Sequence, residues 1–150
     1  MAEPRIEEWP DPPAMDAGSP EPAVYEDGGR AWIAYRCSNP AFPGWGSGAS
    51  PTHPGFDEFC AVIRFTGLES LTIGPPSDER LHEHPLYDAG LESYSFHVVE
   101  DSDEVTEAEM AHWIVTFHDV TLEVIAEDAD VLEARVDVNS PEQALATVGA

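Results

Sequence analysis

The stretch FDEFCAVIRFTG (56–67) places Phe59, Ala61, Ile63 and Phe65 on one side of an extended chain, with Cys60, Val62 and Arg64 on the other. Apolar residues at every second position predict a half-buried β-strand. Gly67 is expected to end it, with ESLTIG (69–74) forming a further strand after a short turn. GRAWIAYRC (29–37) shows the same alternation, with Ala31, Ile33 and Tyr35 opposing Trp32, Ala34 and Arg36. A strand is expected at about 91–99, where the side bearing Tyr94, Phe96 and Val98 faces inward. AHWIVTFHDVTLEVIAEDADVLEARVDV (111–138) reads as three strands, at about 111–117, 120–126 and 131–138, joined by tight turns at HDV and EDAD. Gaps this short cannot carry crossovers, so neighbouring strands must be antiparallel.

The chain ends differently. In SPEQALATVGA, Ser140 can cap a helix, Pro141 suits its first position and Gln143 completes a capping box. The first 28 residues hold prolines at 4, 10, 12, 13, 20 and 22, which block helix and predict an acidic, extended arm anchored by Ile6 and Trp9. SNPAFPGWGSGASPTHPG (38–55) is a long Gly/Pro/Ser loop, of a length often reserved for function. The pattern therefore predicts a mainly β protein: an antiparallel sandwich or strongly curled sheet of about six or seven strands with a short C-terminal helix. An arm (1–28) precedes a single β domain (29–150).

Composition adds a strong electrostatic constraint. Thirty Asp and Glu oppose six Arg, lysine is absent, and the formal net charge is −24. Such a field repels phosphate backbones and anionic lipid, so direct nucleic-acid or membrane binding is not expected and a cationic protein is the natural partner. A host living at high salt, or an acidic proteome, would leave the same signature. No stretch approaches the ~18 apolar residues of a spanning helix, and MAEPRIEEWPDPP lacks a signal peptide's apolar core, so a cytoplasmic location is expected. Oligomeric state leaves no mark in the pattern. Cys37 and Cys60 lie in apolar strands and read as buried thiols; a disulfide between them cannot be assigned from sequence.

Candidate chemistry centres on ERLHEHPLYDAG (79–90). On an extended backbone His82 and His84 would point the same way and could share an ion. Zinc or another divalent metal would need further ligands, from His97 or His118, with Asp119 and Glu83 as carboxylate candidates. His112 and His118 share a strand face but lie roughly 20 Å apart at about 3.3 Å per residue, so at most one could join. GWGSGAS carries a Gly–Ser–Gly at Ser47, but a nucleophile elbow needs a strand before the serine and a helix after it.

The favoured reading needs no cofactor. It is a small acidic protein-binding module, of the inhibitor or immunity type, that covers a basic surface. Glu100, Asp101, Asp103, Glu104, Glu107 and Glu109 would supply the charge, and Trp45, Phe42 and Tyr87 the aromatic anchors. The alternatives are a metal-dependent enzyme with a His-centred site on a β scaffold, and a structural subunit of a larger complex.

Overall fold

The computed structural model describes residues 4–13, 15, 22–40, 56–102, 105, 109–136, 138 and 140–148. Among these residues seven strands form one antiparallel sheet: β1 (Arg5–Glu8), β2 (Ala23–Asp27), β3 (Arg30–Pro40), β4 (Phe56–Gly74), β5 (Phe96–Glu100), β6 (Ala111–Thr116) and β7 (Thr121–Val136). Their spatial order is β1-β5-β6-β7-β4-β3-β2. Two short 3₁₀ turns, Asp78–Glu83 and Tyr87–Ala89, follow β4, and helix α1 (Pro141–Thr147) follows β7. Of the two architectures expected, the curled single sheet is the one formed.

The curl follows from the inner face. Ala31, Ile33, Tyr35, Phe59, Ala61, Ile63, Phe65, Phe96, Trp113, Val115, Leu122 and Val124 form one buried cluster, in which the members from β3, β4 and β5 follow the alternation read from the sequence. Tyr35 on β3 and Phe96 on β5 stand 5.2 Å apart between ring centroids, although three strands separate β3 from β5 in the sheet. The sheet must bend back on itself for these rings to meet.

The N-terminal stretch fills the remaining gap. Its β1 and β2 are the two edges of the sheet, and between them Trp9 enters the core. Trp9 N–H donates to the Phe96 carbonyl at 2.9 Å, Tyr35 Oη–H donates to the Pro13 carbonyl at 2.8 Å, and Met15 bridges to Cys37. The expected anchors Ile6 and Trp9 are both packed, Ile6 on the outer face and Trp9 on the inner. Glu7, Glu8, Glu26 and Asp27 are exposed on the two edge strands. Charge of this kind discourages edge-to-edge pairing with other chains.

Two expected turns are not turns. Gly67 bends β4 without ending it: its φ is +62°, and the β4–β7 register slips between Leu68 and Ser70. EDAD lies inside β7, where Asp128 and Asp130 pair across to Thr66 and Arg64 of β4. A bulge absorbs the glycine because the two strands remain paired on both sides of it. A Cβ at position 67 would overlap the Glu127 carboxylate. Gly67→Ala should therefore cost about 1–2 kcal/mol for the left-handed backbone alone, measurable by urea unfolding. An unchanged midpoint would contradict this account of the bend.

The outer face is covered in two places. Helix α1, capped by Ser140 on the Gln143 N–H, lays Ala144 and Leu145 over Ala34, Cys60 and Val62. At the other end Leu81 and Leu91 from the segment around the 3₁₀ turns cover Val99 and Ile114, with Ile6 and Leu86 against them. Cys37 faces the inner cluster and Cys60 the outer, so the two cysteines lie on opposite faces of the sheet and are not joined to each other. Burial pushes the Cys60 thiol up and leaves it a poor nucleophile.

Candidate functional site

Where β6 and β7 pair on the outer face, one acidic side chain sits among apolar neighbours. Glu123 alternates with Leu122 and Val124, so the sheet that buries those two turns Glu123 to the opposite side. There His112 of β6 and His84, just beyond the first 3₁₀ turn, close on it. His84 Nε2 lies 2.9 Å from Glu123 Oε2, and His112 Nε2 lies 3.0 Å from Oε1. Both imidazoles are buried, while the carboxylate side chain keeps about a third of its surface (32%) in contact with solvent.

The second nitrogens fix the protons. Leu86 N–H donates to His84 Nδ1 at 3.0 Å, so neutral His84 carries its proton on Nε2 and donates to Glu123. His112 Nδ1 lies 2.7 Å from Ser102 Oγ. With Nε2–H donating to the carboxylate, Nδ1 is an acceptor and the Ser102 hydroxyl donates to it. The chain of donors thus runs Ser102 to His112 to Glu123, with His84 holding the second carboxylate oxygen. These hydrogen bonds, His112's first and then His84's, hold the Glu123 carboxyl at about 2, against an ordinary 4.5. The four side chains line a cavity of about 220 Å³ whose other walls are Pro4, Pro85 and Leu86.

The histidines proposed as metal ligands do not come together. His82 is exposed within the 3₁₀ turn Asp78–Glu83, where side chains two apart are rotated by roughly 240° at three residues per turn. The extended H-x-H geometry is therefore absent, although His84 itself is extended ahead of Pro85 as expected. His97 is buried on β5 with both nitrogens used: Nδ1 is 3.0 Å from the Ile114 carbonyl, and Nε2 accepts from Glu92 N–H at 3.2 Å. Burial lowers its pKa and so favours the neutral ring. His118 is exposed and stacks on Tyr94, with Asp119 3.7 Å away and Glu83 bound instead to Arg80. Among the described residues no group of three or more His, Cys, Asp or Glu is placed to hold a metal ion. The Glu123 cluster fits one poorly for a specific reason: the nitrogen His84 aims at the centre carries a proton.

Of the residues proposed for partner contact, Glu100, Asp101 and Glu109 are exposed, and Tyr87 keeps 41% of its surface. Asp101 is 3.6 Å from Arg5. Asp103, Glu104, Glu107, Phe42 and Trp45, like Ser47, lie outside the described residues. The structure also shows an acidic patch beside the bend that Gly67 puts in β4. Asp27, Arg30, Thr66 and Asp128 are successive partners across β2, β3, β4 and β7, and the acids Glu26, Glu69, Glu109 and Glu127 flank this row. All six of these acids are exposed.

The arginines are already engaged. Arg5, Arg64 and Arg80 pair with Asp101, Asp130 and Glu83, Arg30 and Arg135 lie over the rings of Trp32 and Phe59, and Arg36 has a partner of its own. Glu123 and Ser102 were missed by sequence reasoning. The available signal was a lone carboxylate in TLEVIA, which a buried strand can carry only beside donors. No helix among the described residues is long and apolar enough to cross a membrane. Comparison with protein-family models, curated proteins and solved structures gives no match to this chain.

Proposed function

We propose that this protein is a small acidic binding module that occludes a basic surface on a protein partner, as an inhibitor or immunity-type protein does. The observation that supports it is the imbalance of charge. At −24, with every arginine engaged, the chain cannot neutralise itself. The exposed acids at the end of β2 and beside the Gly67 bend of β4 and β7 form one patch. A sheet that presents carboxylates from neighbouring strands resembles, in charge, the phosphates that a nucleic-acid-binding enzyme receives in its groove. Binding there would exclude the polyanion by occupation, with no chemistry performed.

Steering of this kind raises association rates by roughly 10–10³-fold at low salt. The test is capture with the whole chain as bait at low salt, beside a Glu69→Gln/Glu127→Gln/Asp128→Asn variant. The reading expects one basic partner, retained by the wild type and at least about 10-fold depleted with the variant, as loss of rim charges slows encounter. Equal capture by both would overturn it, and a multisubunit assembly would favour a structural subunit. Melting in dilute buffer adds a check. A chain folded without molar salt tolerates its acidity, whereas one that folds only near molar salt owes it to adaptation of the whole surface.

A further inference from the structure

We propose that Ser102, His112 and Glu123 form a nucleophilic centre that hydrolyses small, uncharged acyl esters in the cavity they line. The geometry has the three parts such a centre needs: a hydroxyl, a base within hydrogen-bond reach of it, and a third group that orients the base. Ser102 Oγ is 2.7 Å from His112 Nδ1, and His112 Nε2 is 3.0 Å from Glu123 Oε1. Ser102 follows Asp101, a non-glycine residue with φ +57° at the end of β5, so the serine stands on a sharp backbone turn. Ser102 lines, with His112 and Glu123, a cavity of about 220 Å³ whose other walls include Pro4, Pro85 and Leu86.

The roles follow from the proton positions. Ser102 Oγ attacks the ester carbonyl carbon while its proton passes to His112 Nδ1. The imidazolium so formed keeps its Nε2–H on the Glu123 carboxylate. The tetrahedral adduct collapses, the bond to the alcohol oxygen breaks, and the leaving alkoxide takes the proton from His112 Nδ1. Water then attacks the acyl-serine, gives its proton to His112 and releases a carboxylic acid, and Ser102 recovers its hydrogen. The sum is ester plus water to acid plus alcohol. Ser102 and His112 touch the reacting atoms and are catalytic residues. Glu123 and His84 are positioning residues: Glu123 fixes the His112 tautomer, and His84 stops the carboxylate rotating away.

Substrate class follows from the walls. Two prolines and a leucine favour an apolar acyl group, and a cavity below the ~300 Å³ of ordinary ligand sites admits a short one. The ionised Glu123 beside it disfavours anionic substrates.

The test treats the folded whole chain with a small alkyl fluorophosphonate and with p-nitrophenyl acetate. The expected result is one covalent adduct on Ser102 by peptide mass mapping, none at that site in Ser102→Ala, and acetate turnover that disappears with it. Glu123→Gln supplies a readout that a merely structural serine would not move. A glutamine cannot accept from both imidazoles, and Leu86 N–H locks His84. His112 must therefore move its proton to Nδ1, and Ser102 loses its base. Labelling should then fall by roughly 100-fold or more, in line with the usual worth of a general base, in protein that still melts cooperatively.

Should that variant not fold, Ser102→Cys answers the same question through alkylation by iodoacetamide. A thiolate–imidazolium pair reacts well below pH 7, and an isolated thiol only toward pH 8.5. No adduct on Ser102 would overturn the proposal, as would labelling that ignores Glu123→Gln or an ordinary thiol profile in Ser102→Cys.

Discussion

Trp9→Ala should lower the stability of the whole protein by about 3–5 kcal/mol, the usual cost of deleting a buried large aromatic ring. For a domain of this size that is a fall in Tm of roughly 6–20 °C. Trp9 comes from a proline-rich acidic stretch that could be taken for a dispensable tail. The structure places it at 7% exposure against Phe65, Phe96 and Trp113, with ring centroids 6.0–6.3 Å away. Those three residues belong to β4, β5 and β6, so a single indole spans the concave side of the curled sheet.

Removing it opens a cavity that the sheet cannot close by sliding, because β4, β6 and β7 are paired along their length. Trp9→Phe keeps part of the ring contact and should lose less than half as much. Urea unfolding by far-UV circular dichroism checks both. A loss below about 1 kcal/mol for the alanine variant would show that the N-terminal stretch rests on the body without closing it.

Glu123→Ala should cost about 2–3 kcal/mol near neutral pH. Two buried imidazole N–H groups lose their acceptor, and an unsatisfied buried donor costs about 1–3 kcal/mol; the figure is held down because the site is partly open to water. The effect has a pH signature. In the folded state the Glu123 carboxyl is held at about 2, below its ordinary 4.5, so the folded state favours the ionised form. Its contribution is fully present above the unfolded value and is lost as pH falls from about 4.5 toward 2.

His97 acts earlier in the same direction. Burial lowers its pKa, so below its ordinary 6.5 the unfolded chain takes up a proton that the folded one refuses. Wild-type stability should therefore fall in two stages on acidification, and Glu123→Ala should lack the lower one. Unfolding at pH 7, 5 and 3 separates them. A constant gap between variant and wild type across that range would show that Glu123 is not held ionised by His112 and His84.

The difference between what the sequence discloses and what it hides is physical. Alternation reports which residues share a side of a strand, so much of the inner face was legible: Phe59, Ala61, Ile63 and Phe65 share the buried side, and Phe96 points inward as expected. The capped helix at Ser140 was legible because capping is local. Gly67 and EDAD were misread because a glycine and an acidic run carry the same local signal in a turn and in a bulged, exposed stretch of a long strand. Only the partner strand distinguishes them, and pairing of β4 with β7 is a tertiary fact.

The same limit hid the Glu123 site. His84 and Glu123 are 39 residues apart, and their meeting depends on where the segment after β4 folds back. The H-x-H motif drew attention to His84 for a local reason, spacing on an extended chain, that the 3₁₀ turn removes at His82. The acidic surface was legible from composition alone, but the gathering of Glu26, Asp27, Glu69, Glu127 and Asp128 by strand pairing was not.

The most direct measurement on the proposed function is the association rate with the captured basic partner as ionic strength rises from about 0.01 to 0.5 M. Over that range the screening length shrinks from ~30 Å to under ~8 Å. The account predicts a rate that falls by at least about 10-fold, with a shallower slope when Glu69, Glu127 and Asp128 are neutralised. A rate indifferent to salt, or an identical slope in the neutralised variant, would contradict it.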